Sequence, residues 1–261
     1  MIHPTAVVHP KAQIDSSTRI GPYAVIDEGI TLGAECEVGP HVHITGQTTI
    51  GPHNRFHAGC VIGEAPQDLK YTGAPTRLLI GGHNTFREHV TVHRSNKMEE
   101  DTVIGSHNLL MAAAHVGHNA TLGSHIILVN GALVGGHAQI ADRAYLSGHS
   151  MVHQFCRIGT LALAQAGAVI TKDLPPFCVG SGLNTLCGLN TVGLRRAGFT
   201  AEQRTQLKRL YRALFRSGAV MSDALLAASG EFTDAEARQM IDFIKASVRG
   251  VCFGGRSEGE D

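Results

Sequence analysis

Every sixth residue of this 261-residue chain is Leu, Ile, Val or Phe over three long stretches. The pattern runs from Ile2 to Ile62, resumes at Ile80, and resumes again at Ile104. It closes at Ile170, with Ala164 the single departure, and both gaps are multiples of six residues. One phase therefore holds throughout. A period of six is neither the 3.6 of a helix nor the 2 of a flat strand.

Glycine often follows the aliphatic residue, and a small residue usually stands four positions after it. This spacing favours a short strand, a turn and a small inward-pointing side chain. Three hexads would close one triangular coil, and stacked coils would form a parallel β-helix, each coil about 4.8 Å above the last. Cys36, Cys60 and Cys156 fall on the small position, so we interpret them as packing residues.

The repeat also predicts the domain organisation. Residues 63–79 and 93–103 interrupt it and should leave the coil as loops, where functional residues are often found. The period ends after Pro175 and Pro176, and helical spacing follows over 200–218, 222–229 and 233–250, with Thr200 as an N-cap. We expect a β-helix over 1–190, a helical domain over 191–252 and a disordered tail over 253–261.

Composition narrows the class of protein. Lys+Arg and Asp+Glu both number 22, which argues against a general nucleic-acid binder. No apolar run approaches a membrane span, and the first ten residues lack the features of a signal peptide. The six cysteines form no CxxC pair, so reduced thiols in a cytoplasmic protein are expected.

Histidines gather on one corner of the predicted coil. The repeat is unbroken from Ile104 to Ile170, so residues 18 apart should stack on successive coils. One column then holds His118, Gly136 and Gln154, and the next holds Asn119, His137 and Phe155. His115 and His153 lie beside these columns.

Such a cluster suits acyl transfer. A histidine can take a proton from a substrate hydroxyl, and a glycine N–H can bind the oxyanion that develops. Gln154 could orient a polar substrate. Neither column contains Ser or Cys, which favours direct transfer over an acyl-enzyme. The alternatives are an acyltransferase with another donor or acceptor, a zinc enzyme using three histidines, a non-catalytic binding solenoid, and polar turn residues without a function.

Four stretches, 62–81, 107–123, 151–159 and 193–200, go beyond the generic hexad. With the C-terminal helices they resemble the UDP-N-acetylglucosamine acyltransferases of lipid A synthesis, which belong to the hexapeptide-repeat acyltransferases. The resemblance implies an all-β left-handed parallel β-helix with a C-terminal α-helical domain, assembled as a homotrimer. It also implies transfer of an (R)-3-hydroxyacyl chain from acyl carrier protein to the 3-hydroxyl of UDP-GlcNAc, without cofactor or metal. The γ-class carbonic anhydrases share this fold, but the spacing of His115 and His118 differs from their zinc motif.

The resemblance also implies roles for individual residues. His118 would be the general base, oriented by Asn119 where the family often has Asp, and Gly136 would bind the oxyanion. The substrate-binding set would comprise Asp68 and Lys70 from a neighbouring subunit's loop, His115 and His137 at the sugar, and His153. Four further residues would hold the nucleotide: Gln154, Asn190, Arg195 and Arg196. Ala197 replaces a further basic residue that usually follows the two arginines. Ala166 stands where the family often has the glycine that limits chain length, so we predict a medium acyl chain.

A local basic patch points to an acidic partner. Residues 195–216 carry seven basic side chains against one acid, Glu202. Acyl carrier proteins are strongly acidic, so we expect one to dock on the basic C-terminal helices. The sequence leaves open whether the sugar is UDP-GlcNAc or its 3-amino analogue, because one base could deprotonate either nucleophile.

Overall fold

The computed structural model describes residues 1–254. Its main body is a three-sided coil of short parallel strands, followed by four helices. The predicted fold class, a left-handed parallel β-helix with a C-terminal helical domain, is confirmed.

Three sheets form the sides of the coil, with strands numbered in chain order. Sheet I contains β1 (Val7–Val8), β4 (Val25–Ile26), β7 (His43–Ile44), β10 (Val61–Glu64), β13 (Thr91–His93), β16 (His115–Val116), β19 (Leu133–Val134), β22 (Met151–Val152) and β25 (Val169–Ile170). Sheet II contains β2 (Gln13–Ile14), β5 (Ile30–Leu32), β8 (Gln47–Ile50), β11 (Arg77–Ile80), β14 (Thr102–Ile104), β17 (Thr121–Leu122), β20 (Gln139–Ile140) and β23 (Arg157–Ile158). Sheet III contains β3 (Arg19–Ile20), β6 (Glu37–Val38), β9 (Arg55–Phe56), β12 (Thr85–Phe86), β15 (Leu109–Leu110), β18 (Ile127–Leu128), β21 (Tyr145–Leu146), β24 (Leu163–Ala164), β26 (Cys178–Ser181), β27 (Thr185–Leu189) and β28 (Phe253–Gly254).

The hexad residues fill the interior of the coil. Aliphatic side chains from all three sheets are buried, and Phe56 stacks on Phe86 with ring centroids 4.8 Å apart. Cys36, Cys60 and Cys156 are buried, as their small inward positions predict. Because strand n pairs with strand n+3, each coil contributes one strand to every sheet, and the inward residues of successive coils pack on one another.

Left-handed backbone turns close the corners. Non-glycine residues adopt positive φ at the same hexad position on successive coils, among them Asn119 (58°), His137 (57°) and Phe155 (65°). Asn and His are enriched in this region of φ/ψ space. The corner between sheets I and II, which we call corner I/II, therefore carries Asn119, His137 and Phe155 in one column.

Both loops leave the coil at corner I/II. One connects β10 to β11 over 65–76, and the other connects β13 to β14 over 94–101. The predicted bounds, 63–79 and 93–103, were too wide, because the strands on either side extend past their hexads: β10, β11, β13 and β14 are three or four residues long.

The C-terminal region adds four helices, α1 (Thr191–Arg196), α2 (Ala201–Phe215), α3 (Met221–Glu231) and α4 (Ala235–Lys245). Thr200 caps α2 as predicted, in a reciprocal capping box with Gln203. The helix α1 was not predicted, and six residues leave little periodicity to detect.

The chain end returns to the coil. Phe253 and Gly254, predicted to begin a disordered tail, instead form β28, which pairs in parallel with β27. A backbone bridge between Asp173 and Val251 brings the chain back to the coil. This segment is held by main-chain hydrogen bonds, which a pattern of side chains does not predict. The remainder of the predicted tail, 255–261, lies outside the described residues.

Candidate active site

The predicted histidine column is present at corner I/II. His115 pairs with Leu133, and Leu133 with Met151, so each coil advances by 18 residues. This register stacks His118, Gly136 and Gln154 in one column and Asn119, His137 and Phe155 in the next. The His137 N–H donates to the His118 carbonyl at 2.9 Å, and the Phe155 N–H donates to the Gly136 carbonyl at 3.0 Å.

The protonation pattern of neutral His118 follows from its neighbour. His118 Nδ1 lies 2.8 Å from Asn119 Oδ1. A side-chain amide oxygen only accepts, so Nδ1 carries the hydrogen and Nε2 keeps its lone pair. The Asn96 N–H donates to the same Asn119 oxygen at 3.0 Å, which supports this orientation of the amide. His118 is therefore held with a proton-accepting nitrogen available.

Gly136 lies against that nitrogen. A Cβ built on Gly136 would come within 2.9 Å of both Cε1 and Nε2 of His118. Only glycine lets the ring approach the backbone this closely. Within residues 1–254, the Gly136 N–H donates to no protein acceptor, so it remains available to a substrate oxygen.

Asn119 is buried, and both ends of its side chain are bonded to the 94–101 loop. In addition to the Asn96 N–H on its oxygen, its amide nitrogen donates to Ser95 Oγ at 2.7 Å and to Glu100 Oε2 at 3.0 Å. Its backbone N–H donates to Thr102 Oγ1 at 2.7 Å. Sequence reasoning did not single out these loop residues. The only signal was that the loop interrupts the repeat next to the histidines.

The two loops are fastened to each other beside the site. Asp68 Oδ2 accepts from the Asn96 amide at 2.6 Å, and Arg94 donates to Tyr71 Oη at 3.1 Å. The bond between Asp68 and Asn96 forms within one chain because both loops start at the same corner, and the expected reach of Asp68 to a neighbouring subunit stays a prediction. The Lys70 N–H donates to Asp68 Oδ1 at 3.0 Å, and this bond is the largest cause of the lowered Asp68 pKa.

Three further histidines surround His118, and burial lowers the pKa of each. His137 meets His118 edge-on at 5.3 Å and stacks on Phe155 at 4.7 Å. His115 bonds to Thr91 Oγ1 at 2.8 Å and lies edge-on to His93 at 5.0 Å. Burial lowers the pKa of His93 to about 4, and the sequence did not single out this residue. All three therefore favour the neutral form.

An open groove begins at this cluster and continues along sheet II. Its volume is about 680 Å³. Glu100, Asn119, His137, Phe155 and Arg157 line it. His153 and Gln154 are exposed at the same corner, and His153 Nδ1 lies 3.4 Å from the Arg249 guanidinium. The groove and these two side chains are thus open to solvent in the single chain.

The remaining predicted site residues lie on other corners. Asn190 and Arg196 line a separate groove with His125 and Arg143, between sheets II and III, and Arg195 is exposed on α1 next to it. Asn190 is buried: its oxygen caps α1 by accepting from the Gly193 N–H, and its nitrogen donates to the Leu161 carbonyl. Ala166 is exposed on the corner between sheets III and I. One chain does not bring these residues to His118.

Residues 1–254 lack two features that would point to other classes of protein. No group of three His, Cys, Asp or Glu side chains is arranged to hold a metal ion. No helix in the same residues has the length and hydrophobicity needed to cross a bilayer.

Comparison with known proteins places the chain in a family. Residues 173–252 match the family described as Udp N-acetylglucosamine O-acyltransferase, Domain 2. The acyl-[acyl-carrier-protein]–UDP-N-acetylglucosamine O-acyltransferase of Janthinobacterium sp. (strain Marseille) is 44% identical over 258 residues, covering 96% of this chain and 98% of that protein.

Solved structures agree. The UDP-N-acetylglucosamine acyltransferase of Francisella novicida superposes with a TM-score of 0.94 at 37% identity, covering 100% of this chain and 97% of that one. The UDP-N-acetylglucosamine O-acyltransferase of Moraxella catarrhalis gives 0.91 at 36% identity, covering 96% and 99%. The chain belongs to the acyl-[acyl-carrier-protein]–UDP-N-acetylglucosamine O-acyltransferases.

Proposed function

We propose that this acyltransferase moves an (R)-3-hydroxyacyl chain from acyl carrier protein to the 3-hydroxyl of UDP-GlcNAc, the first step of lipid A synthesis, with His118 as general base. The observation that carries the proposal is the hydrogen bond from His118 Nδ1 to Asn119 Oδ1. It leaves Nε2 unprotonated and next to Gly136.

The reaction is a direct transfer. His118 Nε2 takes the proton of the sugar hydroxyl while its oxygen attacks the thioester carbonyl. The carbonyl oxygen becomes an oxyanion and accepts the Gly136 N–H. The oxyanion then re-forms the carbonyl and the C–S bond breaks, which leaves the acyl group on the sugar oxygen. The imidazolium gives its proton to the departing thiolate. No external electron acceptor or metal is required.

We further propose a homotrimer in which neighbouring chains complete the site. Asn190, Arg195, Arg196 and Ala166 lie on different corners from His118, so a second copy would bring them to it. The outer face of sheets I and III is apolar along the later coils, which is unusual for a surface in water. Leu133 and Met151 are 40% and 41% exposed, and Leu109, Ile127 and Tyr145 continue this face. Light scattering of the purified protein tests the trimer.

The acyl donor would dock on α2. Lys208, Arg209 and Arg212 are exposed on its solvent side, and Arg216 is exposed directly after its last residue. Complementary charge would speed encounter with an acidic carrier protein. All six cysteines are free thiols, five of them buried, which supports the proposed cytoplasmic location.

Acyl transfer from a panel of (R)-3-hydroxyacyl carrier proteins to UDP-GlcNAc tests the function, with wild type and His118→Ala compared. We expect transfer by wild type and a loss of at least about 100-fold in His118→Ala. If acyl transfer occurred only to the 3-amino sugar, that sugar would replace UDP-GlcNAc as the proposed acceptor, and His118 would remain the proposed base. Near-normal turnover by His118→Ala would refute the base assignment.

A further inference from the structure

Glu100 is a carboxylate next to the candidate base that the mechanism above does not use. It lies in the 94–101 loop at corner I/II. Its Oε2 accepts from the Asn119 amide nitrogen at 3.0 Å and lies 3.4 Å from His137 Nδ1. Its Oε1 accepts from Lys97 Nζ at 2.8 Å. That bond is the largest cause of the lowered Glu100 pKa, so Glu100 is ionised at neutral pH.

Two consecutive hydrogen bonds connect Glu100 to His118. The His118 Nδ1–H donates to Asn119 Oδ1, and the Asn119 Nδ2–H donates to Glu100 Oε2. A side-chain amide is polar at both ends, so a negative charge at its nitrogen end makes its oxygen a better acceptor. No proton needs to cross the amide for this effect.

We propose that Glu100 is a positioning residue for the reaction: through Asn119 it fixes the His118 tautomer and supplies the negative charge that stabilises the His118 imidazolium. The proposal rests on the proposed role of His118 as base. It explains how a neutral asparagine can stand beside that base, because the carboxylate stands one hydrogen bond further away.

Other charged and titratable groups also face His118. These are His115 on β16, His93 on β13 of the preceding coil, His137 on the next coil, and Asp68 on the first loop. The three histidines favour the neutral form, so they add little charge near neutral pH. Asp68 bonds the Asn96 side chain, not the Asn119 amide. Glu100 is therefore the carboxylate connected to His118 through the Asn119 side chain.

A charge-relocation experiment tests the proposal. Glu100→Gln keeps an oxygen that can accept from Asn119 but removes the charge. We expect kcat/KM at its pH plateau to fall about 5-fold, with the acid limb moved to lower pH. Asn119→Asp with Glu100→Gln places the carboxylate on His118 and an amide behind it. We expect this double variant to recover the wild-type rate and acid limb.

Two controls separate charge from structure. Glu99→Gln removes the same charge from the neighbouring exposed residue and should leave the acid limb in place. Asn119→Asp alone puts two carboxylates within hydrogen-bonding distance, and like charges disfavour double ionisation. We expect it to be less active than the double variant. A double variant no more active than Glu100→Gln would overturn the proposal.

A second readout does not depend on turnover. NMR titration of histidine-labelled protein follows the His118 ring, assigned by its disappearance in His118→Gln. We expect Glu100→Gln to move the His118 titration midpoint down by about half a pH unit, and Glu99→Gln to leave it unchanged. Equal midpoints in wild type and Glu100→Gln would overturn the proposal. A wild type that titrates as expected but transfers no acyl group would contradict the proposed function and leave the charge relationship standing.

Discussion

The carboxylate of Asp173 receives both the backbone N–H and the guanidinium Nε of Arg157, each at 2.8 Å. Asp173 is 2% exposed, and Ser247 donates to the same carboxylate at 2.8 Å. The Arg157 guanidinium also donates to the Phe243 carbonyl and lies over the Phe243 ring. This pair joins the last coil to α4 and the segment after it.

Removing Asp173 should therefore loosen the junction between coil and helices. Asp173→Ala leaves Arg157 without its buried partner, and we expect a loss of about 3 kcal/mol in the free energy of unfolding. Glu231→Ala, which breaks the exposed pair with Arg209, is the control and should cost less than about 1 kcal/mol. Urea unfolding at fixed protein concentration measures both. Equal losses would contradict the role of Asp173.

Gly136→Ala should inactivate the enzyme without unfolding it. The added methyl would lie 2.9 Å from His118 Nε2 and displace the ring, although the φ of Gly136 suits alanine. We expect turnover to fall at least about 100-fold, since small misplacement of a catalytic group is costly. Gly148→Ala is the control, because its Cβ would meet neighbours only at 3.6 Å and beyond. Normal turnover by Gly136→Ala would rule out the close approach.

His93 should make stability depend on pH. Its pKa is lowered by burial to about 4 in the folded chain, below the ordinary value of 6.5. The unfolded chain takes up this proton first, so stability falls as pH drops from about 6.5 towards 4. We expect His93 to contribute a loss of about 2 kcal/mol between pH 7 and pH 5. His93→Phe should flatten the curve by that amount, whereas His3→Gln, an exposed control, should not.

Charge reversal on α2 should weaken the binding of acyl carrier protein and leave the chemical step unchanged. In Lys208→Glu with Arg212→Glu, we expect the KM for acyl carrier protein to rise about 10-fold with kcat nearly unchanged. The salt dependence of kcat/KM should become shallower. The double control Lys245→Glu with Arg238→Glu makes the same change of net charge on α4. An equal effect of the control would show that net charge matters and not the α2 surface.

Ala166 should limit the acyl chain. It is exposed on a turn, and its side chain adds a methyl group where glycine would leave space. We expect a preference for a medium (R)-3-hydroxyacyl donor and, in Ala166→Gly, a shift of about two carbons towards longer chains. Ala112→Gly, at the equivalent turn position three coils earlier, is the control. A wild type that prefers the longest donor would contradict the prediction.

The stacking at corner I/II was predictable from arithmetic. His118 and Gly136 are three hexads apart, and a coil of three hexads places them on neighbouring coils whatever their side chains are. The same phase predicts the inward burial of Cys36 and Cys60. In a periodic fold, the residue number alone predicts which coil and which corner a residue occupies. The positions of these residues could therefore be predicted by counting hexads.

The loop contacts were not predictable in this way. Glu100 reaches Asn119 because the 94–101 loop folds back on corner I/II, and a segment without a period gives no register. Asn190 is assigned to the nucleotide by resemblance, which stays a prediction, and the sequence did not indicate that its amide bonds to α1 and to the Leu161 carbonyl. Those bonds depend on where a six-residue helix begins, which the local sequence indicates weakly.

The pairing of β26 with β27 is antiparallel in an otherwise parallel solenoid. A parallel coil ends in rows of unpaired N–H and C=O groups that resemble its own interior, and such edges invite another copy to add end on. At the C-terminal end of sheet III the chain reverses direction, and β28 and the helices follow, so within residues 1–254 an incoming coil finds no matching edge there. We therefore expect the hairpin of β26 and β27 to prevent end-to-end stacking of coils into fibres at this end.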